Sequence, residues 1–190
     1  MKVSREQVAL NRERIVETAA RLFREKGYDG IGVADLMKSA GLTHGGFYGH
    51  FESKEDLLAE AAAHALKKSV ERWDGYLAAG RDTALAKIYG GYLNEQHRDH
   101  PELGCAVTAL GPDVARLGPK ARHAVTEGAR SQMAILAQLM PGADATEQRK
   151  QALANYAAMV GAIVLSRAVD DEALSLEVLD AVKNTLPGKS

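Results

Sequence analysis

Residues 33–51 read VADLMKSAGLTHGGFYGHF, and the fold turns on this stretch. Val33, Leu36 and Met37 fall on one face of a short helix. Gly41 ends it, and Leu42 is an inward turn residue. Thr43 stands where a cap would open another short helix through Phe47, with Phe47 and Phe51 one helical turn apart. Helix, tight turn, helix is a helix-turn-helix pattern, whose second helix enters the major groove of DNA. The composition of residues 43–50 suits that use. Thr43, His44, Tyr48 and His50 offer hydroxyl and imidazole groups to phosphate oxygens and base edges. Phe47 and Phe51 anchor the far side. Gly45, Gly46 and Gly49 each cost roughly 1 kcal/mol against alanine in a helix. Stability alone does not put them there; their lack of side chains would let backbone approach a duplex closely, which is one functional explanation.

Working outward, Ile15, Ala19, Leu22 and Phe23 form one helical stripe that Gly27 stops. After the motif, Ser53 and Asp56 resemble a capping box. They open a long helix with the stripe Leu57, Leu58, Ala61, Ala62, Ala65, Leu66 and Trp73, expected to break at Gly75 and Gly80. Lys54 sits in its first turn, where free N–H groups and an ammonium make an anion site. Further helices are predicted over 83–98, ended by His100-Pro101, and over 104–110. Gly111-Pro112 and Gly118-Pro119 punctuate the next stretch. The last three helices are predicted over 120–140, 144–169 and 172–185. No stretch alternates with period two. The reading is an all-α chain of about nine helices, the first three short and most of the later ones long.

Composition narrows the function classes. The chain has 190 residues, 46% hydrophobic and 26% charged, with one cysteine and a net charge of −1. That supports a core without disulfide staples. The longest apolar run, residues 156–165, is about half of the ~20 residues a membrane helix needs. One thiol and no visible export signal predict a cytoplasmic protein. Bulk charge does not grip nucleic acid here, so DNA binding needs a local surface. Residues 1–51 carry eight Lys and Arg against six Asp and Glu, while the rest carries sixteen against nineteen. No nucleophile–base pair, metal cluster or phosphate loop supports an enzyme, and no cofactor is implied.

The stretches RIVETAARLF at 14–23, EKGY at 25–28 and GLTHGGFYGHF-x-SKEDL at 41–57 together resemble the N-terminal signature of the TetR family of bacterial transcriptional repressors. The match is dense over residues 11–60; beyond that only length and helicity agree. The resemblance implies a helix-turn-helix DNA-binding domain over 1–52 and a ligand-binding and dimerisation domain over 53–190. It implies a homodimer on palindromic operator DNA, released by a small-molecule inducer. By position, Thr43, His44, Gly45, Gly46, Tyr48 and His50 should line the DNA face and Lys54 should touch a phosphate. There are departures. Ile31-Gly32 stand where a hydroxyl residue often opens the second helix, and Met37 replaces a small residue. The reading segment also lacks Arg, Asn and Gln. Readout through shape and backbone is therefore expected, with Lys2, Arg5 and Lys38 as auxiliary phosphate contacts.

In the second half, Trp73, Tyr89, Tyr92, Cys105 and Met133 are candidates for an apolar pocket with a few polar tips. Cys105 carries an alternative reading: a thiol on the cavity wall that senses oxidants or electrophiles. His97 and His100 have the spacing of a metal pair, but a solvated helix end is the better reading. Tyr156, Val160, Gly161, Val164, Leu179 and Val182 are candidates for a two-fold helical interface. A rival from another class is a helical enzyme or interaction module that does not bind DNA.

Overall fold

The computed structural model describes residues 4–187. Among these there are nine α-helices, two 3-10 segments and no strand. Helix α1 (Arg5–Lys26) starts at Ser4, whose hydroxyl accepts from the Gln7 N–H at 3.1 Å. It ends at Gly27, which has φ +76°, and the Gly27 N–H donates to the Phe23 carbonyl. Its stripe, Ile15, Ala19, Leu22 and Phe23, is buried as the periodicity requires. Helix α2 (Val33–Ser39) turns at Gly41, φ +72°, into the segment His44–Gly49.

That segment corrects an expectation. It is a 3-10 helix rather than an α-helix, and the Thr43 side chain makes no capping bond. Three glycines in six residues leave too little propensity to sustain α-helical turns, and 3-10 geometry is tolerated only in short pieces.

Helix α3 (Lys54–Ala79) opens on Ser53, whose hydroxyl accepts from the Asp56 N–H at 3.0 Å. It runs straight through Gly75 and ends only at Gly80, so the expected break at Gly75 is absent. The stretch expected as one helix over 83–98 is two, α4 (Arg81–Tyr92) and α5 (Glu95–Asp99). Asn94 makes the division, accepting from the His97 N–H at 2.8 Å and donating to the Gly90 carbonyl at 2.8 Å. A 3-10 turn, Pro101–Leu103, leads to α6 (Ala106–Ala115), which continues through Gly111-Pro112 instead of stopping there. Helices α7 (Pro119–Leu139), α8 (Ala145–Ala168) and α9 (Glu172–Thr185) follow, the last two capped by Asp144 and Asp171.

Helix α3 is the spine, packed along α7 and against α1 and α4. At Gly128 on α7 an added Cβ would lie 2.5 Å from Leu66 Cβ, so the two helices meet where only hydrogen fits. The first three elements are tied to the rest by polar contacts as well as core. Arg12 pairs with the Glu60 carboxylate while lying 4.8 Å from the Phe51 ring centre. Lys68 on α3 meets Glu17 on α1 at 2.8 Å, and the Tyr28 N–H donates to Asp113 on α6 at 2.9 Å.

Candidate functional site

Two places concentrate polar chemistry. The first is the 3-10 segment and its surroundings. Phe47 and Phe51 are buried with rings 5.7 Å apart, which fixes the segment against the core. That leaves Thr43, His44, Gly45, Tyr48 and Gly49 exposed, with Gly46 and His50 half-buried. Tyr48 is 70% exposed, and its ring stands edge-on to Phe47 at 5.2 Å. Burying so little of a large aromatic is unusual for an intramolecular role. His50 Nδ1 is buried with no hydrogen-bond partner among the described residues. Lys54 lies at the start of α3 with its ammonium 4.4 Å from the Tyr28 ring centre. Around it Lys120 bonds Glu52 and Asp56, and that hydrogen bond to Lys120 leads the effects holding the Asp56 carboxyl below its usual range. Arg5 and Lys38 are exposed; Lys2 lies outside the described residues.

The second place is a cavity of about 710 Å³ between α1, α3 and the 92–105 segment. This is the size of a small-molecule site. Trp73, Tyr92 and Cys105 line it; Tyr89 and Met133 do not. Tyr89 is core, and burial pushes its hydroxyl above the usual range. Met133 packs partly buried against the core from α7.

His97 overturns the expectation of a solvated helix end: it is 8% exposed. Its Nδ1 is 2.7 Å from the Tyr92 carbonyl, and its Nε2 accepts from the Cys105 N–H at 2.9 Å. The second bond requires a bare Nε2, so the proton sits on Nδ1 and donates to the carbonyl. Burial comes first among the effects that hold the His97 pKa down to about 4, against the pull of the Tyr92 carbonyl and reinforced by nearby guanidinium groups. Gly104 makes room for the ring, since a Cβ there would overlap it. Arg98 is also buried, bonded to Asp99, Glu172 and Ser175, and so ties α5 to α9. Thus neither His97 nor Arg98 is a solvated surface group, and His97 serves the backbone of Cys105. Cys105 itself is 5% exposed and neighbours the Tyr92 and Tyr156 hydroxyls, which burial pushes upward.

The cavity's cations were not anticipated from sequence. Arg21 and Arg24 on α1, and Lys68 and Arg72 on α3, all line it. Their signal was present as two polar stripes at helical spacing, 17/21/24 and 64/68/72. What the sequence lacked was the fact that the stripes face each other.

The interface candidates divide. Tyr156 and Leu179 are 4% exposed, and the Tyr156 hydroxyl donates to Gln132 at 2.7 Å, so both belong to the chain's own core. Val160 and Val182 pack partly buried against that core. Gly161 and Val164 are exposed, and Leu153, Leu165, Leu174 and Leu176 join them on the outer faces of α8 and α9.

A helix-turn-helix segment held on a helical body with an internal cavity defines a DNA-binding regulator. Comparison with known proteins agrees. Residues 15–61 match the family of bacterial regulatory proteins, tetR family. The transcriptional repressor NemR of Escherichia coli K12 is 30% identical over 133 residues, 68% of this chain and 66% of that protein. The chain thus spans about two thirds of the length of that relative. A 46% identical stretch of 44 residues, 23% of this chain and 22% of the relative, matches the repressor DhaR of a Mycobacterium species. Among solved structures, reduced E. coli NemR superposes with a TM-score of 0.79 at 24% identity, covering 93% of this chain and 95% of that one. A Cytophaga hutchinsonii regulator gives 0.76 at 23% identity over 99% and 98%. The chain belongs to the TetR family of transcriptional regulators. No helix among the described residues is long and apolar enough to cross a membrane.

Proposed function

We propose that the protein is a ligand-responsive transcriptional repressor, not an enzyme, that binds a palindromic operator as a homodimer in the cytoplasm and is released by a small molecule. Residues 1–52 form the reading unit and 53–190 the ligand-binding and dimerisation unit. One observation carries this reading. Helix α3 begins at Lys54 beside the exposed Tyr48 segment and reaches Trp73 on the cavity wall. At 1.5 Å per residue that is about 28 Å of rigid helix joining the two places. Thr43, His44, Gly45, Gly46, Tyr48 and His50 face the duplex, Lys54 meets a phosphate, and the exposed apolar faces of α8 and α9 meet their symmetry mates. Two reading segments must sit about 34–36 Å apart to enter successive major grooves. A ligand that binds better at another spacing lowers operator affinity by that preference alone.

The test is a mobility shift on the palindrome nearest the protein's own gene. Tyr48→Ala is expected to weaken binding at least tenfold with an unchanged melting temperature, because the ring is mostly outside the core. Unchanged binding would remove the assigned face.

A second reading keeps the regulator and changes the signal. Cys105 lies on the cavity wall, and the similar solved structure of E. coli NemR is of its reduced form. In this reading an oxidant or electrophile modifies the thiol and releases DNA. The same assay with N-ethylmaleimide on Cys105→Ser decides it: release equal to that of the unaltered protein sinks the idea.

A further inference from the structure

We propose that the cavity is built for an organic anion, a carboxylate or comparable acid on an apolar body, gripped between Arg24 of α1 and Arg72 of α3. This rests on the ligand-responsive reading above and specifies the ligand's chemistry. The wall carries four cationic side chains against two carboxylates. The carboxylates are already engaged. Glu17 is paired with Lys68 at 2.8 Å, and its carboxyl is held below the usual range mainly by that hydrogen bond. Glu102 bonds His100 at 3.1 Å. Arg21 is paired with Glu25 at 3.2 Å. Among the described residues two guanidiniums are left without a carboxylate ion pair, although the nearby Glu102 carboxylate favours the charge on Arg24. Arg24 donates only to the backbone carbonyl of Glu102, and Arg72 has no hydrogen bond or ion pair among the described residues.

Two such groups in one concavity repel each other. The field is legible in their neighbours: Arg72 and Arg24 both act to disfavour a proton on His97, and Arg72 acts likewise on Arg24. Arg24 is also largely desolvated, which burial alone would discourage. An arginine held in that position with no paired carboxylate favours a bound anion. Fork-shaped guanidiniums match the two oxygens of a carboxylate. The same wall carries Ala20, Ala65, Trp73, the Tyr92 ring and Leu103, the last 59% exposed. Guanidiniums and aromatic rings in one wall select an amphipathic acid over a sugar or a polycation. Because Arg24 belongs to the reading unit and Arg72 to the body, one anion would bridge both.

Trp73 is the chain's one tryptophan and lines the cavity, so its fluorescence reports occupancy. The probes are decanoate and benzoate with their uncharged counterparts, decanol and benzamide. The acids are expected to give a saturable change, with each neutral partner at least tenfold weaker. Arg72→Gln, at an exposed site without partners, should weaken acid binding about tenfold and leave the neutral compounds unchanged. Equal binding of neutral and acid forms, acid binding indifferent to Arg72→Gln, or no saturable response to either acid would overturn the proposal. A mobility shift in parallel separates the two ideas. Acids that bind through Arg72 yet leave operator bound would uphold the anion site and count against inducible release. Release by neutral compounds alone would do the reverse.

Discussion

Two sets of glycines in this molecule lack side chains for opposite reasons. At Gly45 and Gly49, in the reading segment, an added Cβ would meet nothing within 4 Å. At Gly104 and Gly128, in the body, it would overlap the His97 ring and lie 2.5 Å from Leu66 Cβ, respectively. Gly104 and Gly128 are explained from within, because a neighbour already fills the space. Gly45 and Gly49 have no neighbour among the described residues to explain them. A residue that weakens its own helix and spares no internal clash points to a surface supplied by something else. The contrast extends to polar groups. His97 spends both ring nitrogens on backbone, whereas Tyr48 stands out in solvent.

The largest effect expected from this contrast is at Gly128. Leu66 Cβ is next to the α3 backbone and cannot swing away, so Gly128→Ala must push α3 and α7 apart. Overpacking of this kind costs about 3 kcal/mol at its upper end. Urea unfolding should show a midpoint lowered accordingly. A midpoint within error of the unaltered protein would mean that the α3–α7 contact is slack, and the division between the two glycine sets would blur.

His97 gives the next effect, read through pH. Its folded pKa is held down to about 4, against about 6.5 when unfolded. Between those values the unfolded chain binds the extra proton, so stability is full above about pH 6.5 and declines as pH falls toward 4. The integrated loss is about 2 to 3 kcal/mol. His64 is lowered too, chiefly by burial, and adds in the same direction. The decisive quantity is therefore the difference made by one residue. His97→Gln should be less stable at neutral pH yet lose less on acidification, measured by urea midpoints from about pH 7 to 4.5. Parallel curves would show that His97 does not carry the acid sensitivity.

Much of the fold could be read from sequence where a local rule decides. The buried stripes of α1 and α3 follow from apolar spacing, and the starts of α3, α8 and α9 follow from Ser53, Asp144 and Asp171. Reading failed where tertiary contacts outvoted local signals. Gly75 stays inside α3, and Pro112 inside α6, each on an exposed side of a helix whose opposite side is packed in the core. Asn94 split a helix by bonding its own neighbourhood, a use that composition does not flag. The helix-turn-helix stretch was legible because its residues are contiguous. The cavity was legible only in part: Trp73, Tyr92 and Cys105 were anticipated, but Arg24 and Arg72 sit 48 positions apart and meet only through the α1–α3 packing. Tyr156 and Leu179 show the reverse error, since an apolar stripe does not say which of its sides faces the chain's own core.

The smallest effect sharpens the comparison most, because it has two signs. Gly45 and Gly49 have ordinary φ and open space, so alanine there should fit without strain. Gly45→Ala should therefore stabilise the folded chain by up to about 1 kcal/mol, through fewer unfolded conformations and better helix propensity. If the backbone at this point lies against the duplex, the same methyl group obstructs it, and operator affinity should fall by about tenfold. Thermal melting and a mobility shift on one preparation read both. A protein that melts higher and binds operator less tightly is the expected pair. Higher melting with unchanged binding would show that the glycines serve something other than close approach, and would move the reading of DNA onto the Tyr48 and His44 side chains alone.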